Sequence, residues 1–144
     1  MQDQMQDMVQ DEKVTWDKIQ SLVEKSQESF QNGRMEEALL FNREALRIAM
    51  NAFQNTWDVN MLRLGVMAFR GVAVTALVTG RNAEGVMAIE TGLGHAAIGL
   101  QRWPDAELLR QQRNLLAELK EELAYEGRGT VFVSEDLSSW PFYD

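Results

Sequence analysis

His95 is the chain's single histidine, set in Leu93-Gly94-His95-Ala96-Ala97, and it is the first residue to test as a base or metal ligand. General-base chemistry needs a group of tuned pKa held near a reacting atom. A lone histidine on a helix among small residues fits a hydrogen-bonded structural side chain better. Carboxylate-bridged metal sites in helical bundles need two Glu-x-x-His pairs, and Glu90 stands five residues from His95 rather than three. Thiolate zinc sites and disulfides are excluded because there is no cysteine. The segments GRMEEA (33–38) and GRNAEG (80–85) lack the lysine and hydroxyl with which a phosphate loop holds phosphate and magnesium. No Gly-x-Ser-x-Gly nucleophile elbow is present. The acids Glu118, Glu121, Glu122 and Glu126 fall on the solvated side of a helix. The sequence therefore reads as a protein without catalytic residues, metal or cofactor.

Two guanidinium groups offer chemistry of another kind. Arg63 and Arg70 are the only bases in the apolar stretch Trp57–Thr79, which holds one acid, Asp58. An arginine in apolar surroundings binds carboxylates through paired, charge-assisted hydrogen bonds. The carboxylate belongs either to a partner or to the chain itself, through Asp58, Glu24 or Glu28.

The elements that must position these arginines follow from periodicity. Trp57–Thr79 is apolar around nearly its whole circumference, so as a helix it must be wrapped by its neighbours. The segments on either side are amphipathic, as wrapping helices should be. Trp16, Ile19, Leu22, Val23, Ser26 and Phe30 share one face of a first helix over 11–31, stopped by Asn32-Gly33. A second helix over 34–55 carries an apolar stripe from Met35 to Phe53, with Glu36 and Glu37 in its first turn. Asn55-Thr56 offers a cap for the central helix and Asn82 a cap for the fourth, over 82–101. The fourth contains Gly85, Gly92, Gly94 and Gly99, which either interrupt it or mark where another helix comes very close. Pro104 starts a fifth helix with a leucine stripe, and Gly127 ends it.

The ends differ in character from this body. Residues 1–10 read as an acidic, flexible segment and residues 128–144 as an extended aromatic and acidic tail, leaving 11–127 as one all-α domain of five antiparallel helices. In the tail, Leu137, Trp140, Phe142 and Tyr143 are too few to form a core, so they dock on the helical body or are presented to something else.

Charge narrows the class of partner. The net charge is −8, with −4 in residues 1–12 and −2 in residues 127–144. An acidic chain with no basic stripe repels a phosphate backbone, which argues against nucleic acid and leaves a basic segment as one possible partner. The N-terminus is acidic and polar, unlike a secretory leader. The apolar run Leu64–Gly80 is short for a membrane span and has Arg70 at its centre. The expectation is a cytoplasmic protein that does not enter membranes.

Glycine spacing exposes an internal repeat. Gly33 is followed at offsets of five and twelve by Ala38 and Ala45, and Gly80 at the same offsets by Gly85 and Gly92. A third copy near Gln101 keeps Ala106 but has Arg113 where a small residue belongs. Over residues 13–101 this pattern resembles the tetratricopeptide repeat family, which builds antiparallel helix pairs with a glycine-containing turn and small residues at two places in the second helix. The spacing here is 47 residues, from Gly33 to Gly80, against about 34 in the common form, closer to long-helix variants of the kinesin light chain kind. The other reading is a five-helix bundle in which the glycine pattern recurs by chance.

The resemblance implies a groove lined by the first helix of each pair, here the first and third helices, that holds a peptide or helix. The candidate binding residues are then Gln20, Gln27 and Gln31 on the first helix and Arg63, Met67, Arg70 and Val74 on the third. The function implied is that of an adaptor or small chaperone; chaperones of bacterial type III secretion are a concrete instance of small acidic helical-repeat proteins. The alternative is a structural, self-associating protein, with a homodimer formed if the tail docks in a neighbouring copy's groove.

Overall fold

The computed structural model describes the backbone of residues 2–127 and the side chains of residues 12–127. Five helices follow in order: α1 (Gln2–Gln31), α2 (Met35–Thr56), α3 (Val59–Val78), α4 (Asn82–Arg102) and α5 (Glu107–Tyr125). Among the described residues there is no strand. The proposed tail, with Leu137, Trp140, Phe142 and Tyr143, lies outside the described residues.

Helix α3 is the centre of the fold. Twelve of its twenty residues are buried, and it touches each of the other four helices. Phe69, Leu62, Leu64, Val66 and Val72 are among the largest fully buried side chains, each contributing about 1.5–3 kcal/mol of burial. It is the one described helix long and apolar enough to cross a membrane, and 67% of its apolar window is buried inside the fold. That burial explains its composition as a core helix.

Short turns force neighbouring helices to run antiparallel. The turns after α1 and α3 are close conformational copies. Gly33 (φ 77°) and Gly80 (φ 82°) take the left-handed conformation that glycine adopts without steric cost. In both, the next residue's N–H reaches back to close a helix end, Arg34 to Ser29 and Arg81 to Ala76, each at 2.8 Å. Arg34 (φ −93°, ψ 71°) and Arg81 (φ −92°, ψ 69°) then enter the following helix at nearly the same angles. The two turns therefore share their geometry.

Packing against α3 arranges the helices in two layers. The strongest helix contacts are α2–α3, α3–α4 and α1–α2, while α5 packs on both α3 and α4. Helices α1, α3 and α5 form one layer and run in the same direction; α2 and α4 form the other. Within the first layer α1 barely touches α3, and α5 packs against it more closely.

The α4 glycines are close-approach positions inside a continuous helix. A Cβ on Gly92 would stand 2.9 Å from Phe69 Cβ and 2.7 Å from Leu116; one on Gly85 would stand 2.6 Å from Leu77; one on Gly99 would run into Leu62. Gly94 alone of the four faces open space. Helix continuity survives because tight packing against α3 and α5 offsets the entropic cost of glycine.

Several boundaries differ from expectation. Helix α1 extends to Gln2, because residues 2–10 contain good helix formers and no proline or glycine to stop it. The cap of α3 is Asp58, whose carboxylate accepts from the Asn60 N–H at 2.8 Å. Asn55 and Thr56 are absorbed into α2, which ends at Trp57 in a left-handed conformation (φ 52°). That unusual conformation is held by the Trp57 N–H bond to the Phe53 carbonyl and by the two rings, 5.3 Å apart. Asn82 is the first residue of α4, and the cap position, Arg81, makes no side-chain capping bond.

Candidate functional site

A groove of 590 Å³ opens between α1, α3 and α5. Helix α1 supplies Val23, Ser26, Gln27, Phe30 and Gln31 from its C-terminal half. Helix α3 supplies Met67, Ala68, Arg70, Gly71, Val74 and Thr75. Helix α5 adds Gln112 and Leu115, and Asn42 reaches in from α2. Each helix exposes to the groove a run of nine residues or fewer, about 12 Å of helix axis from first to last at 1.5 Å per residue. That length accommodates about two turns of a partner helix or four residues of extended chain.

Five of the seven residues expected to face a partner line this groove: Gln27, Gln31, Met67, Arg70 and Val74. Gln20 and Arg63 do not. They lie one to two turns toward the N-terminal ends of α1 and α3, where both are half-buried. The Arg63 guanidinium sits over the Trp16 ring, 5.1 Å from its centroid, and its Nε is buried with no hydrogen-bond partner among the described residues. A cation–π contact of this kind fills the end of the layer and removes Arg63 from the groove.

Arg70 is therefore the one ionisable side chain among the described residues of the lining, and it is exposed. No described carboxylate lies within ion-pair distance of it. Neither arginine pairs with Asp58, Glu24 or Glu28, so that expectation of internal partners is not met. The groove is apolar on its floor, amide-bearing on its walls and positive at one point.

The floor is held by a contact that periodicity did not single out. Asn42 Nδ2 donates to the Gly71 carbonyl at 3.1 Å and to Thr75 Oγ1 at 3.4 Å. Thr75 Oγ1 donates in turn to the Gly71 carbonyl at 2.7 Å. A Cβ on Gly71 would stand 2.8 Å from Asn42 Oδ1, so glycine is what lets the amide reach the α3 backbone. The signal was present: Asn42 is a polar residue within the apolar stripe of α2, between Ala38 and Ala45. Ser26 Oγ likewise ties α1 to α2 by donating to the Ala38 carbonyl at 3.2 Å. On the α5 wall, Gln112 Oε1 is buried with no hydrogen-bond partner among the described residues, leaving an acceptor beside the groove.

His95 lies elsewhere. Its ring stacks on Phe69 with centroids 5.8 Å apart and planes 18° from parallel. Burial pushes its pKa below the ordinary histidine value, which favours the neutral ring. It lines neither this groove nor the 100 Å³ depression between α4 and α5 beside Glu90 and Lys120. Among the described residues no group of three or more metal-ligating side chains converges.

No family model matches the chain, and no curated protein or solved structure shows a significant match to it.

Proposed function

We propose that the protein is a non-catalytic interaction module, an adaptor or small chaperone, that holds a short peptide or helix of another protein in the groove between α1, α3 and α5. The observation that carries this reading is Arg70: an exposed guanidinium with no described partner, alone in an otherwise uncharged groove. A guanidinium so placed favours a carboxylate-bearing segment, with apolar side chains on either side of the acid to cover Val23, Met67 and Leu115. Gln27 and Gln31 add amide donors and acceptors suited to a peptide backbone.

The tetratricopeptide-like reading belongs to the same proposal. It is supported by the matching turns at Gly33 and Gly80, by the small residues Ala38, Ala45, Gly85 and Gly92 in the second helix of each pair, and by the placement of odd-numbered helices along the groove. In this reading α5 takes the place of a third first helix, which explains why Gln112 and Leu115 join the lining. A net charge of −8 and the single cation of the groove favour a protein partner over nucleic acid, and a cytoplasmic setting completes the proposal.

The test is recovery of partners from the source cell by the Arg70 protein, Arg70→Glu and Arg47→Glu, each carrying Glu135→Gln and Asp136→Asn so that the chain's own acids do not compete for Arg70. Arg47 is a surface residue of α2 bonded to Glu44, away from the groove lining. Arg70→Glu should lower recovery of a specific partner at least about tenfold, as loss of a charge-assisted contact implies, while Arg47→Glu leaves it unchanged. Equal recovery by a folded Arg70→Glu protein would sink the proposal.

A further inference from the structure

We infer that the groove has an occupant within the same chain: the segment after Gly127 folds back in cis, setting Glu135 and Asp136 against Arg70 and Leu137 and Trp140 on the apolar floor. A partner must then displace it, so the regulatory part of this inference rests on the reading of the groove as a protein-binding site.

Three observations carry it. The first is where the chain leaves the fold. Helix α5 is itself a wall of the groove, and it closes at Gly127, whose N–H bonds the Ala124 carbonyl with φ at 73°. Because α1, α3 and α5 run in the same direction, Gly127 lies at the end of the layer that also holds Gln31 and Val78. The groove residues of α1 and α3 lie toward that end.

The second is reach. From Gly127 back to the level of Leu115 is twelve residues of α5, about 18 Å at 1.5 Å per residue. Glu135 stands eight residues beyond Gly127, and an extended chain of that length spans up to about 26–29 Å. The acid pair thus arrives at Arg70 with a few residues to spare for reversing direction. Leu137 follows directly, and Trp140 falls about 10 Å further along an extended chain, toward Met67 and Val23.

The third is complementarity. The groove presents one cation on an apolar floor. The segment presents Glu-Asp-Leu-Ser-Ser-Trp, an adjacent pair of acids followed by two large apolar side chains. Tethering strengthens the match, since a short linker gives an effective concentration on the order of 1 mM. A contact with an intrinsic Kd near 0.1 mM would then be closed about ten times as often as open, and a partner would bind about tenfold more weakly than to an empty groove.

The absence of cysteine makes the test direct. Pairs of cysteines are placed in the full-length chain: Gln27→Cys with Ser138→Cys across the groove, and Leu40→Cys with Ser138→Cys as the control. Leu40 is 60% exposed on α2, outside the groove lining. Under mild oxidation the groove pair should form a disulfide within one chain at least about ten times faster than the control, running as a monomer on a non-reducing gel. Adding Arg70→Glu should slow it severalfold, and adding Glu135→Lys and Asp136→Lys to that background should restore it.

Equal rates for the two pairs, or a rate indifferent to Arg70→Glu, would overturn the inference. A disulfide that links two chains would overturn it as well, placing the segment in a neighbouring copy's groove. No partner is needed for this measurement, so its failure leaves the partner proposal standing. A normal disulfide with no specific partner recovered would instead remove the partner proposal alone.

Discussion

Between α2 and α4, Arg43 lays its guanidinium against Glu84 with two hydrogen bonds, Nε to Oε2 at 2.8 Å and Nη2 to Oε1 at 2.5 Å. One layer away, Arg70 faces an open groove with no described acid in reach. The two arginines mark different uses of charge. Helices α2 and α4 do not pack directly, and the outer layer is joined instead by the Arg43–Glu84 pair and by Arg81 on Glu36 at 3.0 Å. The Arg81 hydrogen bond holds the Glu36 carboxyl below its ordinary pKa. In the layer of α1, α3 and α5, α1 and α3 meet at few points, and among the described residues no ion pair spans the gap between them. Arg43 closes the seam between α2 and α4, whereas Arg70 has no described acid in ion-pair distance.

The sharpest way to test this contrast is on α3, which has one face in the core and one on the groove. Phe69→Ala, at a fully buried site, should cost about 3–5 kcal/mol in urea unfolding. Val74→Ala, on the groove, should cost about 1 kcal/mol or less because its side chain is only half-buried. Similar losses at both positions would mean that the groove face is part of the core.

The two arginines should separate by a smaller margin. Arg43→Met leaves the Glu84 carboxylate, whose side chain is 9% exposed, without its partner, at a cost of about 1–3 kcal/mol. Arg70→Met should stay within about 0.5 kcal/mol of wild type. Thermal unfolding of both variants checks the pair.

The glycines of α4 should respond with opposite signs. Gly92→Ala forces a Cβ against Phe69 and should destabilise by about 1–3 kcal/mol. Gly94→Ala meets nothing within 4 Å and should stabilise by about 0.5–1 kcal/mol through helix propensity.

The smallest effect is a pH dependence. His95 has a folded pKa below its unfolded value, so the unfolded chain binds the extra proton. Its contribution is therefore complete above the ordinary histidine range and is lost as pH falls from about 6.5 toward the folded value. The melting temperature should decline over that window in wild type and less steeply in His95→Leu. Parallel profiles for the two proteins would exclude this origin.

Much of this architecture was legible because it rests on patterns of residue type. The all-round apolarity of 57–79 marked the core helix, and Gly33 and Gly80 marked the two matching turns. The α4 glycines were ambiguous in sequence, since a helix break and a close helix contact ask for the same residue; Phe69 and Leu62 on the facing helix decide it. The groove was legible to the level of face but not of length. Spacing placed Gln20 and Arg63 in line with Gln27 and Arg70, but it carries no information on how far α1 and α3 diverge. The Trp16–Arg63 contact closes their N-terminal ends, and the Asn42–Gly71 contact sets the floor nearer their C-terminal ends. Sequence alone does not single out the cap at Asp58, because Asn55, Thr56 and Asp58 all suit the role. Only the left-handed turn at Trp57 selects among them.

Photo-cross-linking most directly tests whether the groove is where a partner binds. A photoreactive residue is placed at Val74 in the groove or at Leu40 on the outer layer, and adducts are collected from the source cell. Binding in the groove should give a discrete adduct from Val74, none from Leu40, and loss of the Val74 adduct when Arg70→Glu is added. The same adduct from both positions, or one from Val74 that persists in the Arg70→Glu background, would contradict it.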